Sequence, residues 1–117
     1  MIKRFIGDLE IRLQYWGRTS DNRAKYLGYI LLPDGRRHNF TDLQSGVGMP
    51  GTRAEDFDDM AEAAVDFAAY YTTHNRGDDA PDWAPPAELA DAISDAAMCG
   101  TKEEGGYKVQ RQQHEKR

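Results

Sequence analysis

The chain has 117 residues, 39 % of them hydrophobic and 30 % charged, with a net charge of −5. That length makes one domain able to bury about two-thirds of its unfolded surface, and no run approaches the roughly 18 apolar residues of a membrane span. Cys99 is the only cysteine, which excludes an internal disulfide. Asp8 and Glu10 stand where a secretory leader would be apolar, so the expected setting is a reducing cytosol, bacterial or phage-infected.

Leu9, Ile11, Leu13 and Tyr15 alternate with Glu10, Arg12, Gln14 and Trp16, the two-residue period of a half-buried strand. Residues 2–6 read as a separate short strand or as the start of this one. Gly17–Ala24 is a polar turn. Lys25–Leu32, aromatic and aliphatic, suits a central strand. Pro33-Asp34-Gly35 is a turn, because proline presets φ and Asp-Gly tolerates positive φ. Arg37–Thr41 returns as a further strand, giving an antiparallel meander over residues 1–43 with one wet face.

The glycine-rich connector Gln44–Gly51 is expected to end the sheet. A helix is predicted over residues 52–75, opened by a Thr52–Glu55 capping box. Phe57, Met60, Ala64, Phe67, Ala68 and Tyr71 form its apolar face at three- and four-residue spacing. Arg76–Pro86 is a loop. A second helix over residues 85–99 starts at Pro85-Pro86, buries Leu89, Ile93, Ala96 and Ala97, and stops at Gly100. Residues 101–117 form a polar, basic tail in which Tyr107-Lys108-Val109 is an edge strand or a loose arm. The predicted fold is α+β: an antiparallel meander of three or four strands followed by two helices packed on one face, in a single domain over residues 1–117.

Charge is segregated along this order. Residues 1–54 hold nine basic and five acidic side chains, residues 55–104 two and fourteen, and residues 105–117 four and one. At 100° per residue, Glu55, Asp58, Asp59, Glu62 and Asp66 fall within about one 100° sector opposite the apolar face. Glu88, Asp91 and Asp95 repeat the pattern on the second helix, and Asp78, Asp79 and Asp82 lie between. Arg76 is the only basic residue from 55 to 101. An ordinary solvated face mixes both signs and gains ~0.2–0.5 kcal/mol per i,i+4 pair; like charges at 55/59, 58/62, 62/66 and 91/95 forgo that gain.

The linear density, one charge per ~3–4 Å of helix, is close to that of phosphates along a nucleic-acid strand. The stripe therefore suggests a non-enzymatic binding protein that uses Glu55, Asp58, Asp59, Glu62, Asp66, Glu88, Asp91 and Asp95 to occupy a basic, nucleic-acid-binding surface of a partner protein. Direct nucleic-acid binding is not expected on this reading. Small acidic phage and mobile-element proteins that disarm host defence, anti-CRISPR proteins among them, are similar in size and composition.

The remaining motifs are weaker. Gly46-Val47-Gly48-Met49-Pro50-Gly51 matches a dinucleotide fingerprint, but a second helix follows the first where a strand is required, and carboxylates crowd the helix start. His38, His74 and His114 lack metal-ligand spacing. No nucleophile signature surrounds Ser45 or Ser94, and Cys99 sits near a helix C-terminus, unfavourable for a thiolate. No cofactor, metal ion or catalytic residue is assigned. An enzyme of unrecognised type is a third reading. The second is a nucleic-acid-binding accessory protein: Tyr15, Trp16, Tyr26, Tyr29 and Phe40 lie on strands with Arg12, Lys25, Arg36 and Arg37, and Lys108, Arg111, Lys116 and Arg117 supply a basic tail.

Overall fold

The computed structural model describes residues 1–77, 80–81 and 83–98, and the backbone of 109–111. Asp78, Asp79, Asp82, Cys99, Gly100, Lys108, Lys116 and Arg117 lie outside the described residues. β1 (Ile2–Ile6), β2 (Leu9–Arg18), β3 (Arg23–Leu31) and β4 (Arg37–Val47) form an antiparallel meander, followed by α1 (Ala54–Tyr70) and α2 (Ala87–Met98). β5 (Val109–Arg111) then pairs with the free side of β1, giving the order β4-β3-β2-β1-β5. The architecture is the expected α+β one. Residues 2–6 are a strand of their own, and the tail's edge strand is Val109–Arg111, sharing only Val109 with the expected segment, whose Tyr107 and Lys108 lie outside the described residues.

The two-residue period sets the inward side. Leu9, Ile11 and Leu13 of β2 and Ala24, Tyr26 and Ile30 of β3 are at most 1 % exposed. Each large side chain among them is worth about 1.5–3 kcal/mol of burial. Ile6, Phe40 and Leu43 add to the sheet's contribution; Phe57, Met60, Ala61, Ala64, Val65 and Ala68 come from α1, and Ile93 and Ala97 from α2. Both helices lie on this one face.

Gly7 explains how α2 seats on the sheet. It turns β1 into β2 at φ +56°, and a Cβ there would strike the carbonyls of Ala96 and Ala97. The next amide, Asp8 N–H, donates to the Ala96 carbonyl at 3.0 Å. The hairpin turn thus closes the C-terminal end of α2 and supplies a donor for one of its free carbonyls.

Several boundaries differ from the sequence reading. The turn expected over Gly17–Ala24 narrows to residues 19–22, because β2 runs on through Arg18 and β3 begins at Arg23. The sheet does not end at residue 43: Gln44 pairs with Lys25 and Val47 with Arg23, and the register shifts twice along β3 and β4. These bulges let β4 absorb extra residues. Ser45 stitches the second one, its Oγ accepting from Ala24 N–H at 2.9 Å and its carbonyl from Arg23 Nη1 at 3.0 Å.

Another difference is the start of α1. Arg53, not Thr52, is the N-cap, and the reaching carboxylate is Asp56, not Glu55. Asp56 Oδ2 accepts from Gly51 N–H at 2.8 Å and Arg53 N–H at 3.0 Å. Asp56 is 1 % exposed. Burial pushes its carboxyl up, but the backbone donors of Arg53 and Gly51 outweigh this and hold it below the usual range. Gly51 adopts φ +94°, and its carbonyl accepts from the Tyr26 hydroxyl at 2.9 Å.

The last is the ends of the helices. α1 stops at Tyr70, short of residue 75, where Thr72 and Asn75 form a turn. α2 begins at Ala87, after the proline pair, with Ala90 N–H donating to the Pro86 carbonyl at 2.9 Å.

Candidate functional site

Folding stacks the charge map into two layers. α1 and α2 carry nine acidic and no basic side chains, whereas β1–β4 carry seven basic and two acidic ones. The layers therefore hold −9 and +5.

The acidic stripe survives in part. Glu55, Asp59, Asp66, Glu88 and Asp95 are exposed, and Glu62 is half-buried. Asp66 of α1 and Asp91 and Asp95 of α2 line one open cleft of about 670 Å³ with Thr72, His74 and Ser94. The two helical stripes, distinct in sequence, thus converge. Burial pushes the Glu62 carboxyl up, and Asp59, Asp66 and Asp58 add to the shift; burial also pushes Asp66 up. Among the described residues, no group of three or more His, Cys, Asp or Glu side chains is arranged to hold a metal ion.

Among the described residues, two members of the predicted stripe are hydrogen-bonded within the molecule, and Glu88 lies within the electrostatic reach of Arg36. Asp58 is not simply solvent-facing: its Oδ1 pairs with Arg4 Nε. Arg4 is itself buried, and donates to the carbonyls of Lys3 at 3.1 Å and Ala54 at 3.3 Å. Asp91 accepts from Thr73, N–H to Oδ1 at 3.3 Å and Oγ1 to Oδ2 at 2.6 Å, tying the turn after α1 to α2.

The Arg4 contact has a geometric cause. Buried Ala61 and Val65 replace Phe67 and Tyr71 in the core set, turning the inward face of α1 by about 40° from that predicted at 100° per residue. This brings Asp58 to the sheet-facing flank and lifts Phe67 out to 47 % exposure. Arg4 escaped the sequence reading, although it occupies the inward phase of β1 between Ile2 and Ile6.

Phe67 joins a second feature. Its ring meets Trp83 at 6.2 Å, Trp83 meets Tyr71 at 5.7 Å, and Tyr71 meets Tyr70 at 5.0 Å, all edge-to-face. Trp83 and Tyr70 are also exposed. A groove of about 300 Å³ runs from this cluster to the edge strand β4.

The outer face of the sheet, with no helix on it among the described residues, carries Lys3, Arg12 and Tyr29 in one register row, Phe5, Glu10 and Arg37 in the next, and Lys25 further along β3 opposite Gln44. The aromatic set expected there is divided by the fold. Tyr26 and Phe40 are buried in the core and Tyr15 packs against it, leaving Trp16 exposed and Tyr29 half-buried. Arg37 stacks over Tyr29 at 4.7 Å, and Arg12 Nε donates to Glu10 at 2.7 Å.

The glycine connector holds no phosphate cradle. The N–H groups of Gly51 and Arg53, which would face an anion, are taken by Asp56. Arg18 straps the connector down by donating to the carbonyls of Met49 at 2.6 Å and Pro50 at 2.9 Å.

No protein-family model, curated protein or solved structure matches the chain. The site defines a class by its surface: a small two-layer α+β protein with an anionic helical face.

Proposed function

We propose that the helical layer is a docking face for a basic surface of another macromolecule, and that the protein acts as a nucleic-acid mimic and inhibitor of a nucleic-acid-binding partner. One observation carries this reading: two adjacent helices hold no cation and eight carboxylates outside the core, the ninth being buried Asp56, with Glu62 held among Asp58, Asp59 and Asp66. Like charges at helical spacing cost stability, and a basic surface laid across them would reverse the sign of that interaction. Asp59, Glu62, Asp66 and Asp95 form the centre of the face; Glu55 and Glu88 extend it along each helix. Asp58 and Asp91 add charge while serving the fold.

The test is capture from lysate of a nucleic-acid-binding protein by the wild-type chain, followed by measurement of that protein's nucleic-acid affinity. Combined Asp59→Lys, Glu62→Lys and Asp66→Lys substitutions should abolish both capture and inhibition with the fold intact. Unchanged capture by the substituted protein would overturn the reading.

A second reading has its own observation, the cationic outer sheet face with Phe5 and Tyr29 among Lys3, Arg12, Lys25 and Arg37. Such a face suits a single strand that stacks its bases and neutralises its phosphates. It predicts oligonucleotide binding that falls steeply between about 50 and 200 mM salt and is lost with Lys25→Glu and Arg37→Glu. The mimic reading predicts no such binding.

A further inference from the structure

The groove between β4 and the Phe67–Trp83 pair has a floor of buried Phe40 and Leu43 and two exposed aromatic walls. Asp42 stands at its rim, its carboxylate accepting from Gln44 Nε2 at 3.1 Å. Arg23 also lines it, but that guanidinium is already answered by Asp21 at 2.8 Å and by the Ser45 carbonyl. Among the described residues, the cation–π contacts fall on Phe5 and Tyr29 and none on Phe67, Tyr70, Tyr71 or Trp83.

An aromatic face carries negative quadrupole density and attracts a cation placed over it. A guanidinium suits these rings better than an ammonium: it is planar, stacks, sheds water more readily, and can donate two hydrogen bonds to one carboxylate. The methylene stem of arginine would lie along Phe40 and Leu43 while its head reaches Asp42.

We propose that this groove receives an arginine side chain from an extended basic segment of the partner. The proposal rests on the anionic-face reading above and adds a chemical preference to it: the helical face attracts positive charge, and the groove selects arginine over lysine. Charge complementarity identifies the occupant, because the groove adjoins a helical layer with no basic side chain. A neutral aliphatic anchor would fill the groove without using the Asp42 carboxylate at its rim.

The experiment uses the full chain carrying Trp16→Phe, so that Trp83 is the only tryptophan. Oligo-arginine and oligo-lysine peptides of equal length are titrated against its fluorescence. The arginine peptide should perturb Trp83 and bind about two- to fivefold tighter. Phe67→Ala and Asp42→Asn, both at exposed positions, should bring the two peptides to equal affinity while the circular dichroism spectrum is unchanged. The Asp59, Glu62 and Asp66 charge reversals should weaken both peptides and preserve their ratio. Equal affinities with Trp83 unperturbed would overturn the groove and leave the anionic face standing. An arginine preference that survives Phe67→Ala and Asp42→Asn would place selectivity elsewhere and also overturn it. Absence of binding by either peptide would overturn both proposals.

Discussion

Arg4 reaches from the inward side of β1 to Asp58 on α1, so one acid of the surface stripe is engaged by the fold itself. The Arg4 side chain is 10 % exposed and that of Asp58 26 %. Removing the carboxylate leaves a cation with little water to replace it. Asp58→Asn should cost about 1–2 kcal/mol, below the range of fully buried pairs because solvent reaches Asp58. Its neighbour Asp59 is exposed, so Asp59→Asn should stay within about 0.5 kcal/mol of wild type. Urea denaturation of the two variants tests the contrast; equal midpoints would mean that the Arg4 pair contributes nothing.

Asp56 is the second carboxylate with an internal role. Asp56→Ala strips acceptors from the amides of Gly51 and Arg53 and should cost about 1–2 kcal/mol, the range of a lost helix cap. Asp56→Asn keeps one acceptor oxygen and should lose less. Because the folded carboxyl is held below its unfolded value, its stabilisation is present above the unfolded pKa and is lost as pH falls through the folded one. Melting temperatures across the acid range, wild type against Asp56→Ala, should converge at the acid end.

Glu62 has the opposite sign. Its carboxyl is raised by burial and by neighbouring acids, so the folded state holds the proton longer. Stability then falls as pH rises from the unfolded to the folded pKa, and the full cost applies at neutral pH. Glu62→Gln should therefore stabilise the protein by a few tenths of a kcal/mol at neutral pH, as relief of i,i+4 repulsion does. The gain should shrink with added salt and vanish below the carboxyl range. A neutral-pH loss in this variant would show that Glu62 has a structural partner.

His38 provides a pH probe inside the core. It is 8 % exposed, its ring lies edge-to-face against Phe40 at 4.8 Å, and its Nε2 has no hydrogen-bond partner among the described residues. Burial pushes its pKa down. The unfolded chain therefore takes up the proton first, and stability declines as pH drops below the ordinary histidine value of about 6.5. His38→Leu should flatten this part of the pH profile. Retention of the wild-type slope would assign the decline to other groups.

The layer order was legible because its signals are local. Alternation at Leu9–Tyr15, the Pro33-Asp34-Gly35 turn and the apolar period of α1 each need only a few residues. What was not legible depended on packing between distant segments. The sheet turns the inward face of α1 toward Val65, and no helical wheel contains the sheet. Arg4 joins Asp58 across 54 positions, with two hydrophobic residues, Ile2 and Ile6, as its only sequence signal. β4 continues through glycine-rich residues because Ser45 provides a hydrogen bond at the bulge, a role that composition alone assigns to a connector. In the candidate site, acidic periodicity located the helical face, but convergence of Asp66 with Asp91 and Asp95 required both helices to be placed. The Phe67–Trp83 groove emerged only when Phe67 left the core.

Among the described residues, the opposed layers also form an electric dipole directed across the sheet and helices, with a negative helical side and a positive strand side. A basic surface would exert a torque on that dipole before any contact forms, turning the helices toward it and the strands away. Encounter would then select orientation as well as proximity, concentrating the salt dependence of binding in the association rate.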